Sequence, residues 1–236
     1  MKVGIIGAGM IGGTLVRRLT SLGHDVAVAN SRGPETLRAL AAETGARAVS
    51  LHEAAQNREI VVVTIPERAV PDLPKDLFAG VPADVVVIDT GNYYPARDGA
   101  IPALDAGQVE SVWVAEHLGR PVIKAFNHIY FKSLLEDGTP AGTPGRLALA
   151  VAGDPPQARG TVMHLVDELG FEPVDAGALA DSWRQQPGTP AYLGRSDADT
   201  LKVALAAAEP SRFGDYRTSA NDAVKAIFAK AKPETR

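Results

Sequence analysis

The sequence predicts an α/β fold: a doubly wound, mostly parallel sheet with a short helical extension at its C-terminal end. Three observations lead there. Short apolar runs rich in β-branched residues recur along the chain, too brief for helices. Segments of helical apolar spacing separate most of them. The first run breaks into a glycine-rich turn, G-x-G-x-x-G, that opens into a helix. With 236 residues, 45% hydrophobic and 22% charged, the chain has the length of one large domain or a domain with a small appendage.

Val3, Ile5 and Ile6 form the first strand, and Ile11, Leu15, Val16 and Leu19 mark one face of the helix that ends at Gly23. Between them lies Gly7-Ala8-Gly9-Met10-Ile11-Gly12. In a dinucleotide site each glycine of this pattern has a task. Gly7 permits the tight turn out of the strand. Gly9 lets the backbone approach a pyrophosphate, and Gly12 lets the helix pack on the sheet. The N–H groups and dipole at the helix start attract the phosphates. With a second strand following at Val26 to Ala29, Gly7, Ala8, Gly9, Met10, Ile11 and Gly12 are the expected pyrophosphate loop of a Rossmann-type domain.

The end of the second strand bears on which dinucleotide binds. An acid that holds an NAD ribose lies ~20 residues beyond the glycines. This chain has Asn30-Ser31-Arg32-Gly33-Pro34 there instead. A carboxylate would repel a 2′-phosphate, whereas a hydroxyl and a guanidinium hold it through charge-assisted bonds. Asn30, Ser31 and Arg32 therefore point to NADP(H). The competing reading makes Arg32 a solvated loop charge ahead of a helix that begins at Pro34.

That helix is expected to run to Thr44 and close at Gly45, with a strand at Ala46 to Val49. Ser50-Leu51-His52-Glu53 has capping-box spacing. Ile60 to Val63 is the most strand-like run in the chain. Thr64, Ile65 and Pro66 end it where a loop passes over the cofactor, since ligands of open α/β sheets sit beyond the carboxyl ends of strands. Asp84 to Thr90 is a fifth strand, leading into a loop from Gly91 to Gly99 that carries Tyr93, Tyr94 and Arg97. Gln108 to Leu118 is a helix. Pro121 to Phe126 is a sixth strand that delivers Lys124, Ala125, Asn127 and His128 to the same edge. Leu147 to Ala152 and Phe171 to Val174 flank a helix from Gln157 to Leu169, so about eight strands are expected in one continuous sheet. Residues 1–176 are expected to be the nucleotide-binding domain and 177–236 a helical extension packed on it. In the last helix, Val224, Ile227 and Phe228 make an apolar face among Lys225, Lys230 and Lys232. It suits packing on the sheet, a lid or a homodimer contact.

Composition excludes several classes. A net charge of −4 argues against nucleic acid, which favours a basic face. No apolar run reaches the ~18–20 residues of a membrane span. No apolar leader follows a basic start, so a cytoplasmic location is the expectation. With no cysteine there is neither a disulfide nor a thiolate site. His24, His52, His117, His128 and His164 lack ligand spacing, so no metal is expected.

The motifs together resemble the NADP oxidoreductases that use the deazaflavin coenzyme F-420, and the N-terminal domain of the STEAP metalloreductases is similar. The resemblance spans most of the chain. It rests on the Gly7 to Gly12 loop, Ser31-Arg32, Thr64-Ile65-Pro66, Lys124-Ala125-Phe126-Asn127, Ala152-Gly153-Asp154, and Asp175-Ala176-Gly177 with Ser182. It implies that Gly7 to Gly12 hold the pyrophosphate and that Ser31 and Arg32 take the 2′-phosphate. It further implies that Thr64, Ile65 and Pro66 line the path to the nicotinamide, with Ala125 to Asn127 near that ring. The implied activity is hydride transfer between NADP(H) and a flat acceptor, coenzyme F-420 or a flavin. That step needs close placement more than an acid or base.

Two other readings stay open. Lys124 and Asn127 are similar to the Lys and Asn that polarise a carbonyl in NADP-dependent 3-hydroxyacid and imine reductases. There His128, with a pKa near neutrality, would give the proton. A non-catalytic NADP(H) redox sensor is the third.

Overall fold

A computed structural model describes the backbone of residues 1–231 and the side chains of residues 1–226. Strand β1 (Lys2–Ile6) runs through the glycine loop into α1 (Met10–Ser21), and β2 (Asp25–Ala29) follows. A 3-10 turn over Pro34–Leu37 precedes α2 (Arg38–Thr44), so the single helix expected there is two pieces. Gly45 closes it in the left-handed conformation, φ 79°. Then come β3 (Arg47–Ala48), α3 (Leu51–Ala55) and β4 (Ile60–Val63). The Ser50–Glu53 capping box forms in both directions at the start of α3.

The second half holds β5 (Val86–Asp89), α4 (Pro95–Asp98), α5 (Pro102–Asp105), α6 (Glu110–Leu118), β6 (Ile123–Lys124) and α7 (Phe131–Glu136). After it come β7 (Ala148–Val151), α8 (Pro156–Glu168), β8 (Glu172–Asp175), a 3-10 segment over Leu179–Gln185, α9 (Ala198–Ala206) and α10 (Phe213–Ala231).

Six strands form a parallel sheet in the order β3-β2-β1-β4-β5-β6. The chain leaves β1 toward β2 on one side and later returns to place β4 on the other. The carboxyl end of β1 is thus the topological switch point, where such sheets bind ligands. Alternate strand residues serve two cores, because both faces are covered. Val3, Ile5, Val62 and Ile88 pack with Leu15 and Leu19 of α1 and Leu165 of α8. Ile6 and Val61 pack with Ala54 and Ala55 of α3 and with Leu77.

The expectation of one continuous eight-strand sheet needs correction. β7 and β8 form their own parallel pair, joined to β6 by a single antiparallel bridge between Lys124 and Ala152. The cause is local. β6 is two residues long, and Phe126 sits in the left-handed region with φ 62°, which turns the chain out of the strand direction. β7 then meets β6 running the opposite way.

The C-terminal segments are divided between two supports. Leu201 and Leu205 of α9 pack on Ala148, Ala150 and Val174 of the β7–β8 pair. α10 lies along α4, where the Asn221 side chain accepts the Ala96 N–H at 2.7 Å. The side chains of Ile227, Phe228, Lys230 and Lys232, part of the expected apolar face and its rim, lie outside the described residues. No helix among the described residues is long and apolar enough to cross a membrane.

Candidate active site

The carboxyl ends of β1, β2, β4, β5 and β6 bring most of the expected residues to one edge of the sheet. Gly7 leaves β1 with φ 109°, and a Cβ there would lie 2.2 Å from the Thr64 carbonyl oxygen. A Cβ on Gly12 would lie 2.1 Å from the Gly7 oxygen. Both positions are closed to any side chain. Gly9 is different: nothing stands within 4 Å of where its Cβ would be, and the residue is exposed. α1 begins immediately after it, with no side-chain cap and no acid in its first turn. Its first N–H groups therefore have no capping side chain of the protein's own. That arrangement suits a pyrophosphate.

At the end of β2 the Asn30 side chain is occupied in shaping the loop. Its Oδ1 accepts the Arg32 N–H at 2.9 Å, and its Nδ2 donates to Thr36 Oγ1 at 2.9 Å. The Thr36 hydroxyl in turn donates to the Gly33 carbonyl at 2.8 Å. Ser31 and Arg32 are left exposed at the tip. The loop's held shape presents a hydroxyl and a cation together, as a phosphate requires. Glu35 folds its carboxylate back against Gly33, but it is exposed and can rotate away from an arriving anion.

The third group of residues has another character. Lys124 is fully buried and donates from Nζ to Asp89 Oδ2 at 3.0 Å and to the Gly91 carbonyl at 2.6 Å. Asp89 also accepts the Ser111 hydroxyl at 2.7 Å and the Gly91 N–H at 2.8 Å. Glu67 and Glu110 complete the surroundings and are buried as well. Burial alone would lower the Lys124 pKa, but the carboxylates of Asp89, Glu67 and Glu110 raise it on balance. The ammonium is thus an internal counter-ion, not a group standing open at the sheet edge.

Asn127 is engaged in the same way. Its Nδ2 donates to the Gln185 carbonyl at 2.7 Å and to Asn92 Oδ1 at 3.1 Å, while its Oδ1 accepts from Gln185 Nε2 at 2.9 Å. His128 is buried, and its Nε2 accepts the Ala150 N–H at 2.9 Å. Burial pushes its pKa down to about 4, so the ring is neutral at physiological pH. The expectation of a proton donor with a near-neutral pKa is corrected by that burial. Ala125 is buried too, and Thr64, Ile65 and Pro66 are half-buried along the rim.

Sequence reasoning missed the acids around Lys124. Asp89 carried a faint signal, a carboxylate at the end of an otherwise apolar strand. Glu67 and Glu110 carried none, since their burial comes from packing distant segments. Glu67 has both oxygens buried without a hydrogen-bond partner, and burial, then Asp89, pushes its pKa well above the ordinary range. Burial also pushes Glu110 up to about 7, partly offset by Lys124 and by the Tyr93 N–H that Glu110 accepts.

The Glu110 shift has a measurable consequence. A folded pKa above the unfolded value means the native state binds the extra proton, so stability falls as pH rises from about 4.5 to about 7. Glu110→Gln keeps an acceptor for the Tyr93 N–H and removes the titration. Its stability relative to wild type should therefore improve by ~1–3 kcal/mol across that interval and level off above it. Urea midpoints on the two sides of the interval check this; a constant difference between the proteins would contradict it.

The model of the family described as NADP oxidoreductase, coenzyme F-420-dependent, matches residues 2–93, a stretch holding the glycine loop, Ser31-Arg32 and Thr64-Ile65-Pro66. The crystal structure of a hypothetical protein from Sinorhizobium meliloti is 31% identical, covers 82% of this chain and 94% of that one, and superposes with a TM-score of 0.70. The chain belongs to the family of coenzyme F-420-dependent NADP oxidoreductases. Its fold recurs in a structure from an Arthrobacter species described as a candidate F-420-dependent NADP reductase, at 21% identity and a TM-score of 0.63, covering 77% of this chain and 87% of that one. The curated Escherichia coli protein YjhV is 53% identical over 62 residues, 26% of this chain; the chain spans 45% of that relative's length.

Proposed function

We propose that the protein is an NADPH-dependent reductase passing a hydride between NADP(H) and a flat acceptor, the deazaflavin coenzyme F-420 or a flavin. The observation that carries this reading is the pairing of the open helix start at Gly9 with the exposed Ser31-Arg32 tip. Among the described residues the Arg32 guanidinium has no hydrogen bond or ion pair of its own. A pyrophosphate at α1 and a 2′-phosphate at Arg32 match the two phosphate-bearing positions, 5′ and 2′, of the adenosine ribose of NADP(H). When bound, NADPH supplies the hydride, and one proton from water completes the reduced acceptor. The chain's residues bind and orient: Gly7 to Gly12 hold the pyrophosphate, Asn30 and Thr36 keep Ser31 and Arg32 in place, and Thr64 to Pro66 wall the nicotinamide end, while Ala125 to Asn127 lie closed beneath the surface and support that edge from within. Carbonyl polarisation by Lys124 is disfavoured, because its ammonium is enclosed by Asp89 and Gly91.

Arg32→Ala tests the cofactor half of the proposal. Its NADPH affinity should fall by ~1.5–3 kcal/mol, the range for a hydrogen bond to a charged group, while NADH affinity barely changes. Titration of intrinsic fluorescence with each nucleotide reads both numbers. Equal losses for NADPH and NADH would remove Arg32 from the phosphate site.

A further inference from the structure

α10 meets the body of the protein at a tightly packed joint. A Cβ on Gly188 would lie 2.0 Å from the Tyr216 carbonyl oxygen, so the turn after the 3-10 segment presses directly on the helix backbone. The next residue of α10, Arg217, reaches inward. Its Nη1 donates to the Leu104 carbonyl. Its guanidinium stands 5.3 Å from the centroid of the Tyr93 ring and 4.6 Å from that of Phe213.

Beside that contact lies a cavity of about 10 Å³, lined in part by Glu110 of α6, Gln186 after the 3-10 segment and Arg217 of α10. Three segments far apart in the chain thus bring polar side chains to one small space, and each keeps unused bonding capacity. Gln186 is 2% exposed, and neither its Oε1 nor its Nε2 has a partner within the chain. Arg217 Nη2 is buried and unpartnered as well. Glu110 is equally buried and accepts the Tyr93 N–H on Oε2, which leaves lone pairs over. The Arg217 charge acts on Glu110, yet among the described residues no ion pair joins them directly. Buried donors and acceptors left in this condition cost their full desolvation, and polar groups that face each other without touching are commonly bridged by water.

We infer that a single internal water is bound by Glu110, Gln186 and Arg217, and that this water joins α10 to the body of the protein. Size selects the occupant: a water needs roughly 10–15 Å³ of such space, and an organic molecule needs far more. Chemistry selects it too. Water accepts from Gln186 Nε2 and from Arg217 Nη2 and donates to the Glu110 carboxylate, about three bonds, the usual number for internal water. An anion would be repelled by that carboxylate, and a cation by the guanidinium. The bridge is independent of the reading of the NADP(H) site.

A high-resolution crystal structure of the wild-type protein is the direct test. It should show one rounded density peak within hydrogen-bond distance of all three side chains, and a bromide soak should leave that peak without anomalous signal. Gln186→Met keeps the length of the side chain and removes its amide. This variant should lose the peak, and amide hydrogen exchange in α10 should quicken about ten-fold, the scale of one net hydrogen bond. A dry cavity, direct pairing of the three side chains with one another, or an anomalous bromide peak overturns the water site. These outcomes are read from the wild type, so they decide the matter even if Gln186→Met fails to fold. Loss of the water with unchanged exchange in α10 overturns its role as the joint.

Discussion

Lys124→Met should lower the stability of the protein by ~3–5 kcal/mol, the scale for removing one partner of a buried ion pair. The lysine is the cation that Asp89, Glu67 and Glu110 share inside the protein. Without it Asp89 keeps only the Ser111 hydroxyl and the Gly91 N–H, and the Gly91 carbonyl loses a charge-assisted bond. The uncompensated carboxylates would then favour their protonated forms, so the folded state would bind more protons than the unfolded one. Stability of the variant should accordingly recover as pH falls, opposite to the usual acid weakening. Urea unfolding of both proteins at several pH values reads the effect. Folded variant should retain its turnover number at saturating substrate; a large fall in turnover with intact stability would instead make Lys124 a catalytic group.

Gly7→Ala should cost ~2–5 kcal/mol, combining a left-handed backbone with a clash that nothing flexible can relieve. The obstacle is the Thr64 carbonyl, 2.2 Å from the new Cβ, with Ile65 close behind. Gly9→Ala is the paired control. Its Cβ would enter empty space and its φ is −73°, so the thermal midpoint should not move. Its effect should fall on the cofactor, whose pyrophosphate would meet the added methyl. Thermal melts with and without NADPH separate the two variants. A Gly9→Ala protein with wild-type NADPH stabilisation would show that the pyrophosphate does not approach there.

These contrasts mark what could be read from residues in order. Runs such as Ile60 to Val63 declare a buried strand by composition, and the glycine pattern declares a tight turn by steric need. The Ser31-Arg32 tip was also legible, since a polar loop after a short strand has nowhere to go but outward. Lys124, Asn127 and His128 were legible only as polar residues at a strand end. Their partners are Asp89, 35 residues away, Gln185, 58 away, and Ala150, 22 away. Whether such a side chain faces substrate or closes against a partner is a property of the packed structure.

By itself, then, the sequence determined the α/β class, the glycine loop and the exposed cation after β2, because each depends on local sterics, periodicity and solvation. Tertiary structure alone decided that β7–β8 splits from the main sheet, that the acids around Lys124 share one buried cation, and that Asn127 closes against Gln185. Each of these depends on which distant segments meet, and burial changes the charge of a carboxyl or imidazole only once they have met.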